Sequence, residues 1–276
     1  MSDLGVFGPD SATWKLHGEP ILTVAGLRSL FLQALHPRAI AGVAQNSSYR
    51  TDPWNRLERT ATYVVTVIYG TTEQAERAGR RVRAVHSRMR ATDPFTGEEF
   101  RVDDPELLRW VHVTEVESFL TVGRRAGVGL TDAEADAYLH EQRRAAALVG
   151  LDPDDVPGSV AEVTAYYVRM QPELRLTKDA AEALMFLSVP PMPFGLGLTP
   201  VRAVYSGVAA LAMGLLPAWA RRRYGLPGIE ATDPAATLTA RGLRLAMKML
   251  PSAVYEGPIY KDAMRRVAES RAAIAS

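Results

Sequence analysis

The sequence predicts an all-α protein that folds as a single globular domain of many helices. Segments with apolar residues at helical spacing recur along the 276 residues, and most are bounded by capping residues or prolines. Alternating patterns typical of strands are scarce, and no repeat of solenoid length is visible. Because 47% of the residues are apolar, the chain can bury a full core, and we expect one large domain.

The N-terminal segment differs from the rest of the chain. Glycines and prolines recur through residues 1–20 and disfavour a helix there, while Trp14 offers an apolar anchor on the protein body. We therefore predict an irregular N-terminal arm over residues 1–20, followed by one helical domain over residues 21–276.

The next segments predict two helices and the start of a third. Residues 21–34 have apolar side chains on most sides, which is typical of a buried helix. A short helix follows over residues 38–44. Asp52 then suits an N-cap and Pro53 the first helical position, and the helix that begins there runs as an apolar, β-branched segment to Gly70.

A threonine pair after this segment suits the cap of the next helix, which we predict over residues 71–91 at about five turns. Val82, Val85, His86 and Met89 fall on one side of it, with charged residues around the remainder. This placement predicts that His86 faces inward.

A turn-rich connector precedes Pro105, which opens another helix that carries His112 and Glu115 one turn apart. At that spacing Glu115 could orient the imidazole through a hydrogen bond, or it could be a capping or solvent-facing residue. A capping box that begins at Thr131 predicts the helix after it.

The C-terminal third begins with a loop rich in proline and glycine over residues 190–197. Residues 203–220 then lack charge, but small residues and a proline dilute them below the apolar character of a membrane span. We interpret them as a buried helix or cavity wall, with membrane contact as the alternative. Two amphipathic helices are predicted on either side of a break between Pro251 and Pro258.

Composition excludes several classes of function. With 32 basic and 31 acidic side chains the net charge is +1, so no overall field favours nucleic acid or a membrane. The chain has no cysteine, which excludes disulfides, iron–sulfur clusters, a thiolate haem ligand and covalent haem attachment. The first residues lack the basic and apolar regions of a secretory signal, so a cytoplasmic location is expected.

Two polar helix faces carry the strongest functional signal, because residues three and four apart share a face. They consist of Arg56, Arg59 and Thr60 on the first face and Arg83, His86 and Arg90 on the second. A neutral imidazole is a common metal ligand, and haem iron needs only one protein ligand when the other axial position is left for O₂. Arginines beside it could pair with the haem propionates.

Both faces also have ordinary interpretations. A single histidine between arginines on an amphipathic helix is often a surface residue or a buried group bonded to a carbonyl. Glu58 and the arginines of the first face could form a solvated, salt-bridged helix surface.

Three stretches of the chain resemble a known family. They read HPRAIAGVAQNSSYRTDPWNRLERT (residues 36–60), RRVRAVHSRMRATDP (80–94) and DPELLRWVHVTEVES (104–118). Together they are similar to the family of the fungal oxygenase mpaB and the bacterial latex clearing protein, a rubber oxygenase, over residues 14–123. The rubber oxygenases hold a b-type haem in an all-helical, globin-like fold and cleave isoprenoid double bonds with O₂.

The resemblance implies a globin-like helical core around a haem pocket and a role for each matching residue. It implies His86 as the metal ligand, Arg83, Arg90 and His112 as further cofactor-binding residues, and Arg56, Arg59 and Thr60 as catalytic residues on the distal side. Two departures leave the substrate open: the rubber enzymes carry lysine where this chain has Arg59, and histidine where it has Ala91.

The sequence thus predicts a haem-b-dependent oxygenase that uses O₂ on a small apolar substrate, isoprenoid or otherwise unsaturated. It names no electron donor, and it predicts no transmembrane segment while leaving peripheral membrane contact open. The alternative is a helical module that binds haem or lipid without catalysis. A third hypothesis is a helical interaction protein whose arginines are surface charges only.

Overall fold

The computed structural model describes residues 3–192, 199–229 and 233–275. Thirteen α-helices make up most of this part of the chain, and its only β-structure is one two-stranded antiparallel sheet. The all-α, single-domain prediction is therefore confirmed. The globin-like arrangement of the helices stays a prediction.

The first half of the chain contains seven helices and both strands. They are α1 (Ala12–His17), α2 (Leu22–Ala34), α3 (Pro37–Asn46), α4 (Pro53–Tyr69), α5 (Thr72–His86), β1 (Arg90–Thr92), β2 (Glu99–Arg101), α6 (Pro105–Arg125) and α7 (Asp132–Leu148). The second half contains six helices. They are α8 (Val160–Met170), α9 (Lys178–Ser188), α10 (Pro200–Gly214), α11 (Ala218–Arg223), α12 (Asp233–Lys248) and α13 (Pro258–Ala275).

The predicted caps hold the helix starts in place. The Asp52 side chain accepts a hydrogen bond from the backbone of Asn55, and Pro53 occupies the first position of α4. Thr71 and Thr131 form reciprocal capping boxes with the residues three positions later, at the starts of α5 and α7. These local bonds fix where each helix begins.

The main core lies around α2 and α6, which pack closely along their lengths. Most side chains of α2 are buried, as its apolar character on all sides predicts. α7, α8 and α10 close the same core, and Trp110 of α6 is completely buried within it. The central position of α6 matters for the site, because its opposite face turns toward α4.

A second apolar cluster attaches the N-terminal arm and α13 to the end of α4. Trp14 is buried there and its indole Nε1 donates to the carbonyl of Ile68 at 2.9 Å. The irregular-arm prediction is wrong for Ala12–His17, which is helical. Ser11 caps this helix, and Thr13 donates from its hydroxyl to Glu141 at 2.6 Å, so long-range contacts order a segment that glycines and prolines surround.

The predicted helix over residues 71–91 ends earlier, at His86. The chain then turns and forms β1, in which Ala91 pairs with Phe100 of β2, and both side chains are buried in a small cluster. Val85 is 44% exposed, so the predicted inward apolar face does not include it. Strand pairing across the turn at Gly97, where φ is +75°, overrides the local helical pattern.

The uncharged stretch at 203–220 forms parts of two helices, α10 and α11, which separate before Pro217. The C-terminal half of α10 is buried in the main core, in agreement with the buried-helix interpretation. None of the described helices combines the length and apolar character that crossing a bilayer requires. The two amphipathic C-terminal helices are confirmed as α12 and α13, whereas the predicted loop at 190–197 lies largely outside the described residues.

Candidate functional site

Helix α5 is held in position by close contact of its backbone with the C-terminal end of α7. A Cβ added to Gly79 would lie 2.5 Å from the carbonyl oxygen of Leu148, the last residue of α7. Arg83, one turn further along α5, donates through Nη1 to the same carbonyl. α5 is therefore held against the C-terminal end of α7, and α4 packs on α5 as well. This fixes the end of α5, where His86 lies.

His86 is the last residue of α5 and is half-buried. Its Nδ1 atom is buried without a hydrogen-bond partner. Burial lowers the pKa of the imidazole, and the guanidinium of Arg56 lowers it further against a weaker opposing effect of Asp103. His86 is therefore neutral at neutral pH, which is the form that binds a metal.

Arg56 and Thr60 form one bonded unit on α4. The half-buried guanidinium of Arg56 donates from Nε to the hydroxyl of Ser47 at 3.2 Å and from Nη1 to the hydroxyl of Thr60. The Thr60 hydroxyl in turn donates to the backbone carbonyl of Arg56 at 2.9 Å. Because the backbone takes the single proton of the Thr60 hydroxyl, Thr60 accepts from the guanidinium and holds it in position. Arg56 is therefore better placed than Thr60 to donate a hydrogen bond to a bound molecule.

The other three predicted arginines are exposed. Arg59 lies on the outer part of α4. Arg83 binds the Leu148 carbonyl, and Arg90 donates from Nη1 to the carbonyls of Ser87 and Met89 at 2.9 and 3.0 Å. The structure thus brings Arg56 next to His86, while the guanidinium groups of Arg83 and Arg90 bind backbone carbonyls in this conformation.

His112 and Glu115 lie one turn apart on α6. Burial lowers the pKa of His112 to about 4, and its Nε2 atom has no hydrogen-bond partner. Burial raises the pKa of Glu115 to about 7. The predicted hydrogen bond between the two side chains does not form in the described structure. Glu115 is therefore not solvent-facing, because the loss of hydration on burial is the cause of its raised pKa.

Three further side chains near Glu115 or Tyr138 were not predicted as part of the site, namely Tyr63, Tyr138 and His17. Burial raises the pKa of Tyr63 on α4 and of Tyr138 on α7, and the Glu115 carboxylate raises both further. His17 of α1 lies with Nε2 3.2 Å from the Tyr138 hydroxyl, and burial lowers its pKa to about 3. Tyr63 follows Thr60 by three residues on the same helix face, so its position was visible in the sequence. Tyr138 and His17 gave no such signal.

The Glu115 carboxylate of α6 lies close enough to Tyr63 of α4 to raise its pKa, and His86 of α5 lies beside Arg56 of α4. We refer to Tyr63, His86, His112 and Glu115 together as the polar cleft. Each of the four is half-buried, and burial shifts the pKa of each away from its ordinary value. α4 and α6 are not among the closely packed helix pairs of the described chain. Two open surface depressions, beside Thr237 and beside Trp219, lie elsewhere.

The cleft contains imidazole, carboxyl, phenol and guanidinium groups, but no multi-ligand metal centre. Within residues 3–192, 199–229 and 233–275, no three histidine, aspartate or glutamate side chains lie close enough to hold a metal ion together. A metal at this site would therefore have to bring most of its own ligands, as a macrocycle does.

Fold and cleft together define a helical protein with neutral, unpartnered imidazoles in a desolvated interior. The model of the family described as ER-bound oxygenase mpaB/B'/rubber oxygenase, catalytic domain, matches residues 14–251. The chain belongs to this family, so the resemblance in its first half is confirmed and extends through most of the chain. No curated protein and no solved structure matches it.

Proposed function

We propose that this protein is a haem-b-dependent oxygenase that uses O₂ to oxidise a small apolar substrate, with His86 as the iron ligand. Membership of an oxygenase family supports the reaction class. The observation that carries the site assignment is the neutral imidazole of His86, which has a buried nitrogen without a partner beside the half-buried guanidinium of Arg56.

The donor groups of the cleft fit a b-type haem. The chain has no cysteine, which removes thiolate ligation, and His86 supplies an unprotonated nitrogen. Arg83 and Arg90 each use only Nη1 for backbone carbonyls, and their Nε and Nη2 groups remain for a propionate carboxylate. His112, with Nε2 unpartnered, would bind at the cofactor edge.

When bound, the haem would supply the O₂ chemistry, and the protein would supply position, hydrogen bonds and dryness. Arg56 would donate toward the reacting oxygen from a position that its bonds to Ser47 and Thr60 fix. Arg59, at the exposed edge of the same helix face, would act at the entrance. Tyr63 and the other cleft walls would exclude water.

The proposed substrate is a small apolar molecule, isoprenoid or otherwise unsaturated. The family includes rubber oxygenase, which supports an isoprenoid-like substrate class. Arg59 and Ala91 replace residues of the rubber enzymes, so we propose the apolar, unsaturated class and no single compound. The electron donor is left open.

The test is the absorption spectrum of protein expressed with ample haem, compared with two histidine variants. We expect a Soret band in the wild type and its loss in His86→Ala, while His140→Ala, at an exposed position on α7, keeps it. A full Soret band in His86→Ala would overturn the ligand assignment. A wild type that takes up no haem would overturn haem dependence and leave a non-catalytic lipid-binding module as the better hypothesis.

Turnover requires a second measurement, because haem binding alone does not make an oxygenase. We expect reduced protein to consume O₂ when an unsaturated lipid is added. Thr60→Ala should keep haem but lower turnover about tenfold, since Arg56 loses a fixing bond, and Thr60→Ser should restore it. Equal turnover in Thr60→Ala and the wild type would contradict the positioning role.

A further inference from the structure

The outer face of α12 carries a row of exposed apolar side chains. Leu238, Leu245 and Met249 are 67%, 62% and 87% exposed. Their spacings of seven and four residues place them along a single face of the helix, which extends into the turn after Lys248. Three large apolar residues aligned in this way form a continuous stripe, unlike the isolated exposed apolar residues that are common on protein surfaces.

This stripe is not the inner face of the helix. Four residues of α12 on the opposite side already pack against the main core, namely Ala236, Ala240, Leu243 and Met247. α12 is therefore apolar on both its core side and its solvent side. A helix with this pattern normally has a second apolar surface against it.

The apolar stripe continues into the segment that follows α12. Leu250 is 48% exposed and Val254 is 66% exposed, on either side of Pro251. We call the five residues Leu238, Leu245, Met249, Leu250 and Val254 the outer apolar surface. It follows α12 and the start of the segment that joins α12 to α13, and it shares no residue with the polar cleft.

The charges beside the outer apolar surface are basic. Residues 234–255 contain Arg241, Arg244 and Lys248 and no acidic residue, while Asp233, which pairs with Arg221, and Glu256 flank the segment. Arg244 and Lys248 share the single carboxylate of Glu19, with distances of 2.7 and 2.8 Å. Arg241 donates from Nε to a backbone carbonyl, which leaves its charge without an acidic partner there. Three basic side chains against the carboxylates of Glu19 and Glu256 leave a net positive charge here.

We propose that the outer apolar surface docks on an anionic lipid surface, with α12 lying in the plane of the interface. Exposed leucine and methionine side chains would enter the acyl region, while Arg241 and Lys248 along one flank would face the lipid phosphates. A second copy fits less well. A twofold contact would bring the same basic flanks together, and residues 234–255 offer no carboxylate to pair with them.

This inference goes beyond the proposed oxygenase function and does not depend on haem. A lipid surface dissolves apolar molecules, so docking would bring the catalytic domain to a source of apolar substrate. Since the binding test below contains no turnover step, its failure would leave the proposed oxygenase function intact.

The experiment is co-sedimentation of the full chain with vesicles of phosphatidylcholine alone or mixed with phosphatidylglycerol. The test variant is the double substitution Leu245→Glu and Met249→Glu. Its matched control is Val160→Glu with Val168→Glu, which adds the same charge at exposed apolar positions of α8, 40% and 67% exposed. All these positions face solvent, and thermal melting would verify that each variant is folded.

We expect the wild type and the α8 control to bind the mixed vesicles, and the α12 variant to bind at least about tenfold more weakly. Replacing Arg241 and Lys248 with glutamine should also weaken binding about tenfold, with less dependence on salt. Absence of wild-type binding to mixed vesicles, or equal binding by the α12 variant, would overturn the proposal. So would a dimer that the α12 variant dissociates while no vesicle binding is found.

Discussion

Two carboxylates of α6, only two residues apart, have opposite environments. Glu117 faces α2 and accepts bonds from Arg28 at 2.6 and 3.0 Å, from Thr121 at 2.7 Å and from Tyr167 at 3.0 Å. Burial alone would raise its pKa, but the charge of Arg28 and the hydrogen bonds from Arg28, Thr121 and Tyr167 together hold the pKa below its ordinary value. Glu115 faces the polar cleft, makes no such bond, and has a pKa raised to about 7.

α6 thus carries a satisfied carboxylate on its α2 side and an unpartnered one on its α4 side. On the α2 side the buried guanidinium of Arg28 also donates to Ser118 at 2.6 Å and to the carbonyl of Leu215 at 3.0 Å. This network is satisfied, which is typical of a polar group that specifies a core. On the α4 side, His112 keeps an unpartnered Nε2 one turn from Glu115, and His86 at the end of α5 keeps an unpartnered Nδ1. Unsatisfied buried groups are costly and cluster where a protein binds or reacts.

The largest effect is expected from breaking the satisfied network. Arg28→Met leaves the Glu117 carboxylate buried without its cationic partner, so we expect a loss of about 3–5 kcal/mol in the free energy of unfolding. Urea denaturation at neutral pH measures it. Arg83→Met on the cleft side removes an exposed arginine and should cost far less. Similar losses in the two variants would contradict the distinction between the faces.

A smaller effect is expected from Glu115→Gln, which should raise the free energy of unfolding at high pH, whereas Arg28→Met lowers it. The pKa of Glu115 rises from 4.5 in the unfolded chain to about 7 in the folded protein, so folding favours its protonated form. Its contribution to stability is complete below pH 4.5 and is lost as the pH rises through about 7. We expect glutamine to remove this loss and to gain up to about 3 kcal/mol at pH 8 relative to the wild type.

Urea denaturation at pH 4.5 and at pH 8 checks the sign. The difference between wild type and Glu115→Gln should grow with pH. Other groups titrate in the same window, including His112, whose lowered pKa has the opposite dependence, but they are common to both proteins and cancel in the comparison. A difference that does not change between the two pH values would mean that Glu115 is not desolvated.

The sequence predicted the core helix α2 and the starts of several helices well because their signals are local. The apolar pattern of α2, the Asp52 cap with Pro53, and the capping box at Thr131 each depend on residues within one or two turns. The family assignment also held, because its motifs are contiguous. The β-hairpin was missed because strands of three residues leave no periodic signal.

The cleft was predicted only in part because its remaining members come from distant segments. Arg56, Thr60 and His86 were found as polar faces of neighbouring helices. The proximity of Tyr138 to Glu115, and the bond from Arg83 to the carbonyl of Leu148, depend on how α7 packs, which no local pattern encodes. The roles of the cleft residues stay predictions.

The smallest changes in the free energy of unfolding are expected from two glycine-to-alanine substitutions, one on α5 and one on α2. They compare how closely the two helices pack against their neighbours. A Cβ at Gly79 would meet the Leu148 carbonyl oxygen at 2.5 Å, so Gly79→Ala should push α5 from α7 and lower the free energy of unfolding by about 1–3 kcal/mol. At Gly26 of α2 nothing lies within 4 Å, and alanine should raise it by about 0.5–1 kcal/mol through helix propensity. Because α5 ends at His86, the NMR signals of that imidazole should move in Gly79→Ala and stay in place in Gly26→Ala. A silent Gly79→Ala would mean that the contact with α7 does not set the position of the cleft wall.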